Sequence, residues 1–148
     1  MSAQKGSNRM EAAVAMKNEA ESLDPLCRTD TVQPSYERMR NGFRVRHLRG
    51  FDREAGRFPV RVADQCRLAL SAGNAALSEK GASLDDVVHV TYLVKEAGQL
   101  STCGSFIRDM LGDNRPATTV LVVRQFDRSD VEIEVEMVAR MPEASLPV

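Results

Sequence analysis

The stretch RPATTVLVVRQFDRSDVEIEVEMVAR, residues 115–140, decides the fold. It reads as two strands and a turn. In the first, residues 118–124, Val120 and Val122 point one way and Leu121 and Val123 the other, so the strand is apolar on both faces and wants cover on both. In the second, Val131, Ile133, Val135 and Met137 alternate with Glu132, Glu134 and Glu136. That period of two gives one apolar face and one carboxylate face. With the turn at residues 126–130 between them, the two strands are expected to form a hairpin.

Working outward, residues 62–80 carry Val62, Cys66, Ala69, Leu70, Gly73, Ala76 and Leu77 at helical spacing, which predicts a helix ended by Gly81. Gly73 on the buried stripe weakens the helix, and close approach to a sheet is the expected compensation. Residues 87–94 (VVHVTYLV) form another strand with apolar groups on both faces, interrupted by His89 and Thr91. A second helix is expected over residues 99–111, with Cys103, Phe106, Ile107, Met110 and Leu111 inward and Gly112 closing it. Upstream, Asn41-Gly42 is a hairpin turn signal between strands at residues 36–39 and 43–48. Strict alternation in the latter groups Phe43, Val45 and His47 on one face and Arg44, Arg46 and Leu48 on the other.

The order is strand, strand, helix, strand, helix, strand, strand: an α+β domain over residues 34–148. Residues 1–33, rich in Ala, Ser, Asn, Lys and Glu, are expected to be a loosely attached, flexible extension, with a partner-docking arm as the alternative. Two helices cover one face of a sheet. The strands at residues 87–94 and 118–124 leave apolar groups on the other, and a large uncovered apolar face is rare in a soluble monomer. An oligomer follows from the pattern alone.

Composition narrows the function classes. The 148 residues suit one domain. With 20 Lys+Arg against 21 Asp+Glu there is no general electrostatic reason for nucleic-acid or membrane binding. No apolar run approaches a membrane span, and the N-terminus has no apolar signal region. Cys27, Cys66 and Cys103 lack metal-ligand spacing and read as free thiols in a reducing, cytoplasmic setting.

Several runs carry a resemblance over about residues 34–141. They are Arg49-Gly50-Phe51 at a strand end, Gln65 at the helix start, Gly81-Ala82-Ser83-Leu84-Asp85-Asp86-Val87-Val88, Arg115-Pro116-Ala117, and Ile133-Glu134-Val135-Glu136. In these the chain resembles the Rid (YjgF, L-PSP endoribonuclease-like) family. The resemblance implies a chorismate-mutase-like fold and a homotrimer whose second sheet face is buried. It also implies small-molecule clefts between subunits, and neither metal nor organic cofactor. Active members hydrolyse imines and enamines to keto acids and ammonia; an arginine after Pro-Ala holds the substrate carboxylate, and a strand glutamate positions water. Here Thr118 follows Pro116-Ala117, and a threonine cannot make the bidentate charge-assisted pair of an arginine. The glutamate corresponds to Glu134 and the family's aromatic hydroxyl to Tyr36; Arg49 and Gly50 stand where the family has Ser-Gly.

Each candidate has two readings. Glu134 orients a hydrolytic water, or is one of three carboxylates on a polar face paired with Arg124 or Arg140. Arg49 replaces the missing arginine from another strand, or is a surface charge. Thr118 lines a pocket for an uncharged or differently charged ligand, or is a buried strand threonine bonded to backbone. Cys103 is a thiolate at a helix start or a small core residue. His89 is read as a packed interface residue, and His47 lies too far from it in the pattern for ribonuclease chemistry. The functions in play are an imine- or enamine-hydrolysing trimer, a non-enzymatic ligand-binding or regulatory trimer and, distantly, an endoribonuclease.

Overall fold

The computed structural model describes residues 33–141; the N-terminal extension expected over residues 1–33 lies, but for Gln33, outside them. Five strands form one sheet: β1 (Ser35–Met39), β2 (Gly42–Arg49), β3 (Val87–Val94), β4 (Ala117–Val122) and β5 (Ile133–Arg140). Helix α1 (Val62–Glu79) lies between β2 and β3, and α2 (Gly104–Leu111) between β3 and β4. This is the expected ββαβαββ order and α+β class.

The sheet order β1-β2-β5-β3-β4 corrects one expectation. β4 and β5 are not a hairpin: β3 lies between them, parallel to β4 and antiparallel to β5. The physical reason is the connection at residues 123–132, far longer than the two to five residues or so of a tight hairpin. That segment passes the end of β3, where the Val123 amide donates to the Val94 carbonyl at 2.8 Å and Lys95 Nζ reaches Glu132 at 3.1 Å. The chain between β3 and β4 is a crossover through a 3-10 segment (Ala97–Cys103) and α2, as a parallel pair requires.

Helix α1 buries Cys66, Ala69, Leu70, Ala76 and Leu77 against β2 and β5. Gly73 allows the approach, since a Cβ there would lie 2.7 Å from Met137 Cε. After Lys80 the chain turns at Gly81 with φ +79°, which glycine adopts without steric cost. The second helix is shorter than expected; the first part of the expected span is the 3-10 segment, whose last residue, Cys103, is the N-cap of α2.

In β2 the alternation breaks. Pairing with β5 shifts register between Val45 and Leu48, and His47 takes φ +65°. This bulge turns Leu48 to the helix side with Phe43 and Val45 and puts Arg49 on the opposite face, correcting the assignment of Leu48 to the Arg44 and Arg46 side and of His47 to the apolar side. The apolar spacing 43, 45, 48 demands it, because Leu48 is fully buried.

The face of the sheet away from the helices is of two kinds. Across β2, β5, β3 and β4 the residues Arg49, Glu134, Leu93 and Leu121 are cross-strand partners in one row. The β2–β5 half is charged; the β3–β4 half carries Leu93 and Leu121 at one end and Thr91, Thr119 and His89 beyond them. On β4 even the helix-side residues stand out: Val122 is 59% exposed and Leu121, on the other side, 48%.

Candidate functional site

At the end of β2, Gly50 packs against the first turn of α1 so closely that a Cβ would fall 2.0 Å from the Gln65 carbonyl oxygen. Gln65 is fully buried and ties three segments together. Its side-chain amide donates to the carbonyls of Pro59 (2.6 Å) and Asp130 (2.8 Å) and accepts from the Glu132 amide (2.8 Å). This clamp fixes both the loop after β2 and the loop entering β5, and so fixes Arg49 against Glu134.

The Arg49 guanidinium is the centre of the site. Nε donates to Glu134 Oε1 at 2.8 Å and Nη2 to Asp127 Oδ1 at 2.6 Å, while Phe126 lies under the group at 5.8 Å. Nη1 is buried and has no hydrogen-bond partner. Burial alone would lower the Arg49 pKa, but the hydrogen bonds and charges of Asp127 and Glu134 raise it above the usual value. Reciprocally, the Arg49 hydrogen bond holds the Asp127 carboxyl below the ordinary aspartate range. Glu134 is only 6% exposed. Its second oxygen faces His47 Nδ1 at 3.5 Å, brought there by the bulge. The guanidinium thus fixes one carboxylate oxygen and leaves the other directed at a half-exposed imidazole, where a water or ligand can be held.

The other expected residues divide by face. Tyr36 is the cross-strand partner of Val45 and its hydroxyl donates toward the Ala76 carbonyl (3.5 Å) and Glu79 Oε1 (3.4 Å) on α1. Thr118 is the partner of core residue Val90, and its hydroxyl donates to the Pro116 carbonyl at 3.2 Å. Both therefore lie on the helix side, opposite Arg49 and Glu134. Glu134 pairs with Arg49 and not with Arg124 or Arg140. Cys103 is fully buried, with its thiol directed at the Gln99 carbonyl at 3.7 Å; the proximity of Cys66 draws the Cys103 thiol down, while Cys103 and burial push the Cys66 thiol up. His89 bonds Thr119 across β3 and β4 at 2.8 Å.

His47 and Asp127 were not singled out from the sequence. The break in apolar spacing around His47 was the available signal; Asp127 carried none beyond its turn. A cavity of about 280 Å3 is lined by Tyr36, Arg38, Lys80 and Met141 among others, and one of about 310 Å3 by Met39, Val88 and Val138 among others. Neither includes Arg49 or Glu134. Among the described residues no three His, Cys, Asp or Glu side chains are grouped to hold a metal, and no helix is long and apolar enough to cross a membrane.

A mixed five-stranded sheet backed by two helices, with a buried Arg–Glu pair on the face away from them, defines a small α+β protein whose candidate site lies on the sheet. The family model for endoribonuclease L-PSP matches residues 49–141, more than half of the chain, and the protein belongs to that family, also called YjgF or Rid. It is 31% identical over 78 residues to a RutC family protein of Pyrococcus abyssi, and equally so to one of Pyrococcus horikoshii. Those matches cover 53% of this chain and 61% of each relative, so the chain spans about three fifths of the curated relatives' length. Among solved structures, a Thermotoga maritima protein with a provisional endoribonuclease name has 27% identity and a TM-score of 0.66, covering 76% of this chain and 90% of its own. Escherichia coli TdcF with bound serine has 20% identity and a TM-score of 0.65, covering 76% and 91%; it shares the fold.

Proposed function

We propose that identical chains assemble, as a homotrimer, around small-molecule clefts between subunits, and that the protein hydrolyses imines or enamines to carbonyl compounds and ammonia. The observation that carries this reading is the fixed Glu134 carboxylate, buried yet in the same cross-strand row as exposed Leu121. Strands are spaced about 4.8 Å apart, so a second copy covering Leu121 comes within roughly 10 Å of Glu134. Tyr36 and Thr118 lie on the opposite face from Arg49 and Glu134, so a ligand touching both sets draws them from different copies. Family membership supports a small-molecule role, and the thiols of Cys66 and Cys103 suit a reducing compartment such as the cytoplasm.

A non-enzymatic ligand-binding trimer is the second reading. One observation favours it: the Arg49 charge is already engaged by Glu134 and Asp127, which argues against its standing in for the arginine missing at Thr118. A ribonuclease is disfavoured, since His47 contacts Glu134 and His89 contacts Thr119 rather than each other.

Ammonia release from freshly generated imines, measured on wild type, Glu134→Gln and Thr118→Arg, tests the first reading. Activity that disappears in Glu134→Gln supports it; wild-type release no faster than the uncatalysed background refutes it. Sedimentation of Leu121→Asp tests the assembly, which is expected to dissociate. A wild type that sediments as a monomer rules the assembly out.

A further inference from the structure

We infer that the ligand of this site carries no carboxylate: it is an amine-derived imine or its carbonyl product, not an imino acid. The inference rests on the hydrolase reading above. Three observations carry it.

The first is the charge at the site. One guanidinium, Arg49, faces two carboxylates, Glu134 and Asp127, and is hydrogen-bonded to both. Nearby, Lys95 pairs with Glu132 and Arg128 with Asp130, while Arg44 and Arg46 share the single carboxylate of Glu37. A ligand carboxylate placed at Arg49 itself would meet two carboxylates on one cation, and like charges brought together at a desolvated contact are strongly disfavoured. A neutral or cationic imine meets no such penalty.

The second is the unused donor. The Arg49 side chain is 8% exposed, and Nη1 is buried without a partner while its two sister nitrogens hold the carboxylates. A buried N–H left unmade costs free energy. Nη1 keeps both of its N–H groups unpartnered but is closed off from solvent, so Arg49 offers a ligand carboxylate no exposed pair of donors.

The third is Thr118. Its hydroxyl is turned to the Pro116 carbonyl of its own chain, and β4 bears no cation. A neighbouring copy therefore brings no positive charge from this strand into the cleft. Arg115 and Arg124, each two residues beyond an end of β4, are the nearest cations in sequence; Arg115 is bonded to the Gly112 and Asn114 carbonyls, which leaves Arg124 as the one to test.

The reaction balances as one imine and one water giving one carbonyl compound and one ammonia. The water oxygen, oriented by the free oxygen of Glu134, bonds to the imine carbon; the carbon–nitrogen bond breaks and nitrogen leaves as ammonia with the protons of water. The reaction class that supplies such a substrate is the two-electron oxidation of a primary amine by an amine oxidase.

The test uses the full chain. Imines are generated in place from a primary amine with an amine oxidase and from leucine with an amino-acid oxidase, and ammonia release is compared. Binding of butylammonium, butyramide and butyrate is measured in parallel by calorimetry. We expect the amine-derived imine to be hydrolysed at least about tenfold faster, butyramide or butylammonium to bind at least about tenfold more tightly than butyrate, and Thr118→Arg to narrow both ratios. Faster hydrolysis of the imino acid, or tighter butyrate binding, overturns the inference while leaving the hydrolase reading intact; loss of that butyrate binding in Arg124→Ala would name the cation responsible. If neither imine is hydrolysed but the binding order is as expected, the hydrolase reading fails and the ligand class stands. If nothing binds and nothing is hydrolysed, both fall.

Discussion

Arg49 Nε donates to Glu134 Oε1 at 2.8 Å, and each side chain is only 8% exposed. A pair this buried is unlike a surface ion pair. Removing one partner strands the other charge away from water, at a cost of about 3–5 kcal/mol. Arg49→Ala is expected to lose stability in that range by urea denaturation at neutral pH. The double substitution Arg49→Leu with Glu134→Leu should recover most of it, because apolar replacement of both partners removes the desolvation penalty. A loss below about 1 kcal/mol for Arg49→Ala would mean the pair acts as an exposed one.

His47 is the non-glycine residue at positive φ among the described residues, at +65°. The left-handed conformation costs an L-residue roughly 1–2 kcal/mol, and the bulge it creates brings Arg49 to Glu134. His47→Gly should therefore fold with wild-type stability to within about 1 kcal/mol, the relieved strain offsetting the extra chain entropy of glycine. His47→Val, β-branched at the same φ, is expected to be about 1–3 kcal/mol less stable than the glycine variant. Equal melting temperatures for the two would show that the bulge is not tied to this backbone conformation.

Two glycines, Gly50 packed against α1 and Gly73 within it, differ in what blocks a methyl group. At Gly50 the obstacle is the Gln65 backbone at 2.0 Å, which moves only with the helix; at Gly73 it is the end of the Met137 side chain at 2.7 Å. Gly50→Ala is expected to destabilise at or above the upper end of about 1–3 kcal/mol and to loosen the Gln65 clamp. Gly73→Ala gains about 1 kcal/mol of helix propensity against a similar repacking cost, leaving a small net change. Thermal melts of the two variants decide this, and a Gly50→Ala protein as stable as wild type would refute the clamp.

The elements were legible because their apolar periods are long. The eight residues of β3 and the start of α1 were located by pattern alone. The pairing of β4 was not, because alternation fixes which face a residue takes and says nothing about which strand lies beside it. The same limit hid Asp127, which reaches Arg49 across 78 positions of sequence. Glu134 and Arg49 were named from the resemblance, yet their mutual bond depends on a bulge that strict alternation overlooks. The apolar character of both faces of β4 pointed to a covering partner, and the exposure of Leu121 and Val122 in the single chain is what that pattern leaves.

Acid should weaken the site from its rim. The hydrogen bond and charge of Arg49 hold the Asp127 carboxyl low, against the opposing effect of burial, and Arg128 does the same for Asp130. Both carboxyls thus bind protons less readily in the folded chain than in the unfolded chain, whose aspartates titrate near about 3.9. Their stabilising contribution is complete above that value and is lost as pH falls through the lower folded values. The Asp127 side chain is 58% exposed, so solvent screening keeps its share below about 1 kcal/mol. Asp127→Asn should accordingly be less stable than wild type at pH 7 by less than that amount, with a smaller gap at about pH 2, below the unfolded aspartate value, as the contribution is lost with falling pH. Urea midpoints at the two pH values measure the gap directly. A difference that stays constant across the range would show that Asp127 acts through its shape and hydrogen bonding and not through its charge.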